Sequence, residues 1–339
     1  MNHFKKLNCI FLLLSVCSLM PTHLRAQQDA QFSQNMFNKL TYNPGFAGMN
    51  HAQCGSLFYR NQWVGFGGAP ITSLVNLNMF APKFKGGFGL TAMQDRLGND
   101  RTFATGVSVS HHFNLFKGEL SLGGKVGLIQ KSFINNWIAP DGNTNDNSIP
   151  SNSNAMSYLD LSAGAFYLDA SENYVGLSVT NAYSVGNANA AFKNVPHYYV
   201  TMGTRIDLPF MRSVVLKPSV VAKSDVSSTI FDINALAFIN YRFWVGTSYR
   251  MTDAIVIMGG VIFGPLKIGY SYDLTTSALK NHSSNTHEFM ISYCRPLRCR
   301  VRASSHINPR YMQLKPHPHM ECVDTKCRLY NTTGGNMTQ

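Results

Sequence analysis

Residues 102–115 read TFATGVSVSHHFNL, and larger apolar side chains alternate along this stretch with small and polar ones. Because successive side chains of a β-strand point to opposite faces, the alternation predicts a strand with one apolar and one polar face. The apolar face carries Phe103, Thr105, Val107, Val109, His111, Phe113 and Leu115. The polar face carries Ala104, Gly106, Ser108, Ser110, His112 and Asn114. Such a strand suits a wall between lipid and water.

The same period of two recurs from residue 52 onward, in runs of about ten residues that are separated by turn residues, as in the strands of transmembrane β-barrels. We count fourteen runs, at residues 52–62, 70–80, 86–95, 102–115, 118–132, 158–169, 173–183, 197–209, 213–225, 228–240, 242–252, 254–263, 265–274 and 287–294. The sequence therefore predicts an all-β fold, a transmembrane antiparallel β-barrel of about fourteen strands.

The start of the chain and its composition agree with a membrane barrel. Lys5 and Lys6 precede an apolar run over residues 7–20, and Ala26 is small, so we expect residues 1–26 to be a signal peptide cleaved before Gln27. Beyond it, no apolar stretch approaches the roughly 18 to 20 residues that a spanning helix needs. Charged residues make up 14% of the chain, against roughly 25% in a typical soluble domain.

The predicted connections alternate between long and short. Barrels of this class have short periplasmic turns and longer outer loops, so the alternation predicts which end of the barrel faces outward. The long connections are residues 60–70, 133–157, 184–196 and 275–286. The short ones include residues 116–117, 169–173, 209–212 and 264–265. The first strand is therefore expected to begin on the periplasmic side.

Two blocks rich in aromatic, Asn and Gln residues precede and follow the first predicted strand. The first block contains Gln31-Phe32-Ser33-Gln34 and Asn43-Pro44. The second is Arg60-Asn61-Gln62-Trp63-Val64-Gly65-Phe66, followed by Gly68-Ala69-Pro70. Together they resemble the opening signature of the PorP/SprF family, outer-membrane components of the type IX secretion system of the Bacteroidota. The resemblance extends from Asp29 to Tyr293.

This resemblance implies a non-enzymatic protein of the outer membrane that needs no cofactor. Its implied partners are other type IX components (periplasmic ring and peptidoglycan-binding proteins), a secreted cargo or adhesin, and outer-membrane lipid. On this interpretation the N-terminal segment and the periplasmic turns meet the machinery, and the outer loops meet the cargo. The expected motif and partner-contact residues are Gln31, Phe32, Ser33, Gln34, Asn43, Pro44, Arg60, Asn61, Gln62, Trp63, Gly65 and Pro70.

The chain divides into a signal peptide (1–26), an N-terminal periplasmic or plug segment (27–51), the barrel (52–294) and a basic tail (295–339). We expect the plug to pack at or inside the periplasmic end and the tail to be mostly disordered. After Cys294 the chain has eight basic and two acidic residues, a net charge of +6, whereas residues 27–294 carry a net charge of about +3. This uneven charge is a weak sign of nucleic-acid binding, and we expect none.

An open lumen is the main alternative. Fourteen strands enclose more space than wall side chains fill, so either a plug fills the lumen or the barrel conducts. The second hypothesis is therefore a porin or a transporter of hydrophobic compounds. Trp63, in the predicted loop, has two open interpretations, since a large aromatic there either folds into the barrel mouth or contacts another protein.

The five cysteines after residue 26 permit several pairings, and sequence alone does not select one. Cys294–Cys299 and Cys322–Cys327 would close small loops in an oxidising periplasm, and free thiols are an equal alternative. Cys54 is the fifth.

Neither a metal site nor a catalytic site is predicted. His317, His319, Cys322 and Cys327 are residue types that bind zinc, but their spacing matches no structural zinc site. Asp141 and Asp146 lie in an Asn-rich loop without a calcium-loop pattern. Of the His pair, only His112 shares a face with Ser108 and Ser110, and we interpret it as a lumen-facing histidine among small residues.

Overall fold

In the structure, a computed structural model, the alternating runs form the strands of a closed barrel. It describes residues 30–133, 156–186, 195–211, 213–225, 227–251, 253–276, 285–296, 320–323 and 326–329. The strands are β1 (Ala52–Asn61), β2 (Ile71–Ala81), β3 (Gly86–Leu97), β4 (Asp100–Leu115), β5 (Gly118–Phe133), β6 (Met156–Asp169), β7 (Tyr174–Gly186), β8 (His197–Gly203), β9 (Ile206–Asp207), β10 (Val214–Ser224), β11 (Thr229–Ile239), β12 (Phe243–Arg250), β13 (Ala254–Phe263), β14 (Leu266–Thr275), β15 (Thr286–Pro296), β16 (Met320–Val323) and β17 (Lys326–Leu329). Residues Lys39–Tyr42 form a short α-helix, α1, and short 3₁₀ turns lie at Asn35–Phe37, Pro44–Phe46 and Pro82–Phe84.

The barrel consists of fourteen antiparallel strands when β8 and its short continuation β9 are counted as one, as the sequence predicts. Each strand pairs with its neighbours in chain order, and β10 pairs with both β8 and β9. The sheet closes because β1 pairs with β15, with Arg60 opposite Glu288 and Cys54 opposite Cys294.

The two faces of each strand differ as predicted. On β4 and β5, the outward side chains of Val107, Leu122 and Val126 are exposed, whereas Ser108 and Ser121 face the lumen and are buried. Lys125 and Asp160 also face the lumen, where their ion pair spans 3.0 Å. The wall therefore presents an apolar surface outward and a polar surface inward, as a barrel in lipid requires. In the part of the chain that the structure describes, no helix is long and apolar enough to cross a membrane.

The two ends of the barrel differ in the length of their connections. Residues 116–117 and 264–265 join strands at one end, and residues 62–70 and 276–285 join strands at the other. By the general rule for such barrels, the end with short turns is periplasmic, and β1 begins there. We refer to the two ends as the periplasmic end and the outer end.

The tail contains one element that the sequence prediction missed. β16 and β17 pair as an antiparallel hairpin, with Cys322 opposite Cys327. Each of these strands has four residues, which is too short for alternation to be detected. The sequence therefore predicts a mostly disordered tail and no hairpin.

A disulfide joins Cys54 of β1 to Cys294 of β15, across a sequence separation of 240 residues. The suggested Cys294–Cys299 pairing was therefore wrong. The suggested pairing joins cysteines that are close in sequence, but barrel closure makes the first and last strands neighbours and places Cys54 and Cys294 opposite each other. The disulfide faces the lumen, because Cys54 has the same parity as the buried Phe58 in β1, and Cys294 the same parity as the buried Met290 in β15.

We expect the double substitution Cys54→Ser and Cys294→Ser to leave a folded but less stable barrel. A cross-link between distant residues restricts the unfolded chain, and losing one typically costs about 2–4 kcal/mol. The measurement is the temperature at which the protein in detergent loses its folded electrophoretic mobility. Cys322→Ser serves as the control and should not change that temperature. Alkylation of Cys54 and Cys294 in the unreduced wild-type protein would contradict the disulfide.

Candidate functional site

Residues 30–51, here called the plug, run through the lumen of the barrel. Ser33 and Gln34 contact the strands near the outer end, and His51 reaches the periplasmic end just before β1 begins. Most of these residues are buried, among them Phe32, Ser33, Gln34, Asn35, Asn38, Leu40, Asn43, Ala47 and Met49. The plug is therefore an internal element whose side chains meet the wall on many sides.

A single carboxylate holds the first turn of the plug. Glu288 of β15 is fully buried, and its two oxygens accept hydrogen bonds from consecutive backbone amides, Ser33 N–H at 2.7 Å and Gln34 N–H at 2.9 Å. Bonds from amides to an ionised carboxylate are stronger than bonds between neutral groups. Glu288 therefore fixes the position of the plug backbone and not just one side chain.

Arg60 binds both this carboxylate and the plug. Its guanidinium donates to Glu288 at 3.0 Å, to Asp273 at 2.9 Å and to Ser33 Oγ at 2.6 Å. Ser33 Oγ lies 2.7 Å from an Asp273 oxygen, to which it donates. Arg60 was expected in an exposed loop, but it belongs to β1 and is only 2% exposed. Arg60 is buried because its side chain points into the lumen, as does that of Phe58 two residues before it.

A second arginine extends the charged network around the barrel. Arg250 donates to Asp232 at 3.1 Å and to Asp253 at 3.2 Å, and it lies 3.7 Å from Asp273. Asp232 in turn accepts a hydrogen bond from the side chain of Asn35 in the plug, at 3.0 Å. We call Glu288, Asp273, Asp232, Arg60 and Arg250 the plug seat.

Asn43 anchors the middle of the plug. Its side-chain oxygen accepts from Gly45 N–H at 2.9 Å and so forms the Asn-Pro-Gly turn, while its amide donates to the carbonyl of Ala165 in β6 at 3.0 Å. Pro44 approaches the wall so closely that a Cβ at Gly123 would lie 2.5 Å from its carbonyl oxygen. The motif residues Asn43 and Pro44 therefore dock the plug against glycine on the wall.

Ser110, His112 and Glu119 form a constellation that resembles a catalytic triad at the periplasmic end. The nitrogens of His112 lie 3.0 Å from Ser110 Oγ and 2.8 Å from Glu119. The nitrogen near Ser110, Nε2, is also 2.9 Å from the carbonyl oxygen of Ala47, which only accepts hydrogen bonds. Nε2 is thus placed to donate a hydrogen bond to this carbonyl, whereas a general base needs a free lone pair directed at the serine. Ser110 also donates to this carbonyl, at 2.7 Å.

The same cluster holds the end of the plug. His51, the last plug residue, lies 2.7 Å from the second oxygen of Glu119. Glu119 thus joins two histidines, one from the plug and one from the wall. The backbone of Gly48, with φ of +76°, passes so close to Gly87 that a Cβ at Gly48 would lie 2.6 Å from that residue's Cα. In this structure the cluster acts as a clamp on residues 47–51.

The second motif block forms a loop on the outer rim. Gln62 N–H donates to the carbonyl of Pro70 at 2.9 Å and closes the loop. Trp63, half-buried with φ of 51°, donates its N–H to Thr286 Oγ1 at 3.1 Å, which ties the loop to the start of β15. A surface depression of about 280 Å³ lies against it, lined by Asn61, Val64, Gly65, Phe66, Gly68, Ala69, Ile71, Arg96 and Gly98.

A smaller cavity of about 130 Å³ lies within the lumen. Plug residues including Gln31, Phe32 and Tyr42 line it together with Lys125 and Asp160 of the wall. Tyr42 stacks on Tyr199 there, with ring centroids 5.4 Å apart. The plug thus leaves a small space beside it and occupies the lumen around that space.

Among the described residues, no three His, Cys, Asp or Glu side chains are grouped as a metal site would require. The candidate residues His317, His319, Asp141 and Asp146 lie outside the described part of the chain, as do the side chains of Cys322 and Cys327.

The structure separates the twelve predicted site residues into two groups. Gln31, Phe32, Ser33, Gln34, Asn43, Pro44 and Arg60 belong to the plug and its seat, whereas Asn61, Gln62, Trp63, Gly65 and Pro70 belong to the rim. Sequence reasoning missed the acidic members of the seat, Asp232, Asp273 and Glu288. The available signal was a carboxylate at an inward position of a membrane-spanning strand, as Glu288 is between His287 and Phe289.

Comparison with known proteins gives a family match and remote structural similarities. The sequence model of the family described as type IX secretion system membrane protein PorP/SprF matches residues 24–293. No curated protein matches the chain. The Acinetobacter baumannii outer membrane protein Omp33 is similar over 73% of this chain and 100% of its own, at 9% identity and a TM-score of 0.40. CdiB from Acinetobacter baumannii is similar over 72% of this chain and 60% of its own, at 7% identity and a TM-score of 0.41.

We expect Glu288→Gln to loosen the plug while the barrel stays folded. The substitution keeps the shape of the side chain but removes the charge that pairs with Arg60, and breaking a buried pair typically costs about 3–5 kcal/mol. The measurement is hydrogen exchange at the amides of Ser33 and Gln34, which should become faster.

Asp253→Asn is the matched control for this substitution. Asp253 bonds to the same network through Arg250 but has no hydrogen bond to the plug among the described residues. Its exchange pattern in residues 30–51 should equal that of the wild type. Equal protection of Ser33 and Gln34 in the Glu288→Gln protein would show that the carboxylate does not hold the plug.

Proposed function

Because the chain belongs to the PorP/SprF family of type IX secretion system membrane proteins, we propose that it is a docking component of that system in the outer membrane. In this role it binds periplasmic machinery and assists the export or surface retention of a secreted cargo or adhesin. It does so without catalysing a reaction. The observation that carries the proposal is the plug, because a barrel with a tightly held internal segment suits a binding scaffold better than a conduit.

The contacts of the plug support this role. Ser33 is held by two carboxylates and an arginine, and Asn43 and Ala47 are bonded to the wall farther along. Such contacts, at buried positions all along the segment, give a rigid body with two distinct ends. A scaffold needs surfaces at both ends, one toward the periplasm and one toward the cell exterior.

Each end of the barrel offers a surface for a partner. At the periplasmic end, Phe116 is 93% exposed and Phe210 is 99% exposed, both in connections between strands. At the outer end, the rim loop exposes Phe66 beside the depression that Arg96 lines. We assign the periplasmic surface to the machinery and the rim to cargo. Phe32, Ser33 and Gln34 are buried, so we assign them to holding the plug and not to the contact surface.

The absence of an enzymatic role is part of the proposal. The arrangement closest to a catalytic one, Ser110 with His112 and Glu119, directs its donors at a plug carbonyl. Ser110 is also buried beneath that carbonyl, so no substrate reaches it while the plug is in place. A role in binding the plug accounts for all three side chains.

A porin or transporter of hydrophobic compounds is the second candidate. The lumen cavity of about 130 Å³, lined partly by Tyr42 and Tyr199, favours it. Transport would require the plug to leave, since Asn38 and Thr41 hold its middle to Asn76 of β2. Swelling of liposomes that contain the protein, in a solution of a small sugar, would favour this candidate. Liposomes that keep their volume would favour the docking role.

The proposal is tested by capture of the tagged protein from outer membranes in mild detergent, followed by mass spectrometry. We expect periplasmic type IX components and a large secreted protein to be recovered with it. Recovery of the barrel alone would contradict the docking role. A strain that produces the tag on an unrelated outer-membrane barrel provides the background.

We expect Phe66→Ala to reduce export or surface retention of the cargo while the amount of protein in the membrane stays normal. Phe66 is 49% exposed on the rim, and aromatic side chains often dominate the energy of a contact. Phe113→Ala is the matched control, because Phe113 is 46% exposed but lies on the outer wall of β4. The measurement is cargo in the culture medium and on the cell surface. Normal cargo levels with Phe66→Ala would remove the rim loop from the proposal.

A further inference from the structure

Three lysines point into the lumen near its periplasmic end. Lys39 lies in α1 of the plug, Lys217 near the start of β10 and Lys267 at the second residue of β14. Lys217 and Lys267 have the inward parity of their strands, which they share with the buried Val215 and Gly269. All three are only partly buried. These lysines come from three separate elements, so barrel closure and the position of the plug bring them together.

The carboxylates nearby do not balance these charges. Glu172 forms ion pairs with Lys217 and with Arg205, the latter at 2.6 Å. Arg205 also pairs with Asp207. Neither Lys39 nor Lys267 has an ion pair among the described residues. Four cationic groups thus share two carboxylates, which leaves an excess of positive charge at this end of the lumen.

Aromatic rings take the place of counter-ions. The Nζ of Lys39 lies 3.6 Å from the ring centroid of Tyr174. The Nζ of Lys267 lies 4.5 Å from the centroid of Phe37 and 5.6 Å from that of Phe238. Contacts of this kind stabilise an ammonium group by less than a buried ion pair does, and they leave part of it available to an anion.

The two wall lysines lie over the same ring. The Nζ of Lys217 is 5.3 Å from the centroid of Phe238, the ring that Lys267 also approaches. Burial lowers the pKa of Lys39 to about 7, and the nearby charges of Lys217 and Lys267 also lower it. Glu172 acts in the opposite direction and raises this pKa. Glu172 therefore compensates the charged form of Lys39 only in part.

We propose that Lys39, Lys217 and Lys267 bind carboxylate side chains of an acidic segment from a periplasmic partner protein. The site deepens the docking role proposed above and rests on it. The acidic segment enters the periplasmic end of the lumen, and its carboxylates supply the negative charge that Glu172 and Asp207 do not. The rings of Phe37, Phe238 and Tyr174 contact its methylene groups.

The direction of the lysines favours a protein segment over a lipid headgroup. Lys217 and Lys267 belong to the inward face, whereas lipid contacts the outward face of the same strands, where Ile268 is exposed. The side chain of Lys217 is 35% exposed, so an incoming chain can reach it. The basic tail of this protein, with its net positive charge, is not a suitable occupant.

The test is fluorescence anisotropy of a labelled hexaglutamate peptide added to the purified full-length protein in detergent at low salt. We expect binding that weakens as salt is added, and roughly three- to tenfold weaker binding after either Lys39→Gln or Lys267→Gln. Lys223→Gln is the matched control, since Lys223 is on the same strand as Lys217 but near its outer end. It should bind the peptide as the wild type does.

The pH profile gives a second readout that a merely structural lysine would not change. Affinity for the peptide should fall as the pH rises from 6 to 9, because Lys39 loses its proton, and the bound carboxylate moves that loss above pH 7. The other charged groups that face Lys39 are Lys217, Lys267 and Glu172, and the ring of Tyr174 lies against it. The profile of the wild type is therefore compared with that of a protein that lacks only Lys39. The Lys39→Gln protein should show a flatter profile.

Two outcomes would overturn the inference. Absence of salt-sensitive binding, or equal binding by the Lys39→Gln, Lys267→Gln and Lys223→Gln proteins, would show that no such site exists. Displacement of the peptide by glycerol 3-phosphate at lower concentration than by glutamate would assign the lysines to a phosphate headgroup. Capture of type IX components with a protein that fails the peptide test would leave the docking role intact and remove only this site.

Discussion

The position of the plug depends on one buried carboxylate. Glu288 is fully shielded from water, and an ionised group there is stable only if it is paired and hydrogen-bonded. Arg60 supplies the charge, and the amides of Ser33 and Gln34 supply the hydrogen bonds. The plug therefore also stabilises the wall, since removing it would leave the buried Glu288 without the hydrogen bonds of these two amides.

The same constraint explains why the first and last strands meet as they do. β1 and β15 are joined near the outer end by Arg60 and Glu288 and near the periplasmic end by the Cys54–Cys294 disulfide. Both links connect residues that are opposite each other in the register, so each favours the register that forms the other. Closure of this outer-membrane barrel and the position of its plug thus depend on the same two residues, Arg60 and Glu288. A closed barrel with a fixed plug has the two stable ends that the proposed docking role requires.

The sequence predicted the barrel because each strand repeats the same local signal. Alternation of residues such as Val107 and Ser108 needs no knowledge of distant contacts, so fourteen strands were found with ends close to those observed. The seat escaped prediction because it joins residues as far apart as Ser33 and Glu288. The Cys54–Cys294 pairing escaped for the same reason. Only closure of the barrel, which no local pattern encodes residue by residue, brings such pairs together.

Single-channel recording in planar bilayers tests the central claim most directly, namely that the plug closes the lumen of a docking barrel. The purified wild-type protein should insert and remain without a stable open state, because Glu288 and Asn43 hold the segment inside. A protein whose plug has been loosened should show open events under the same conditions. A stable, open channel in the wild-type protein would contradict the account and favour a transporter.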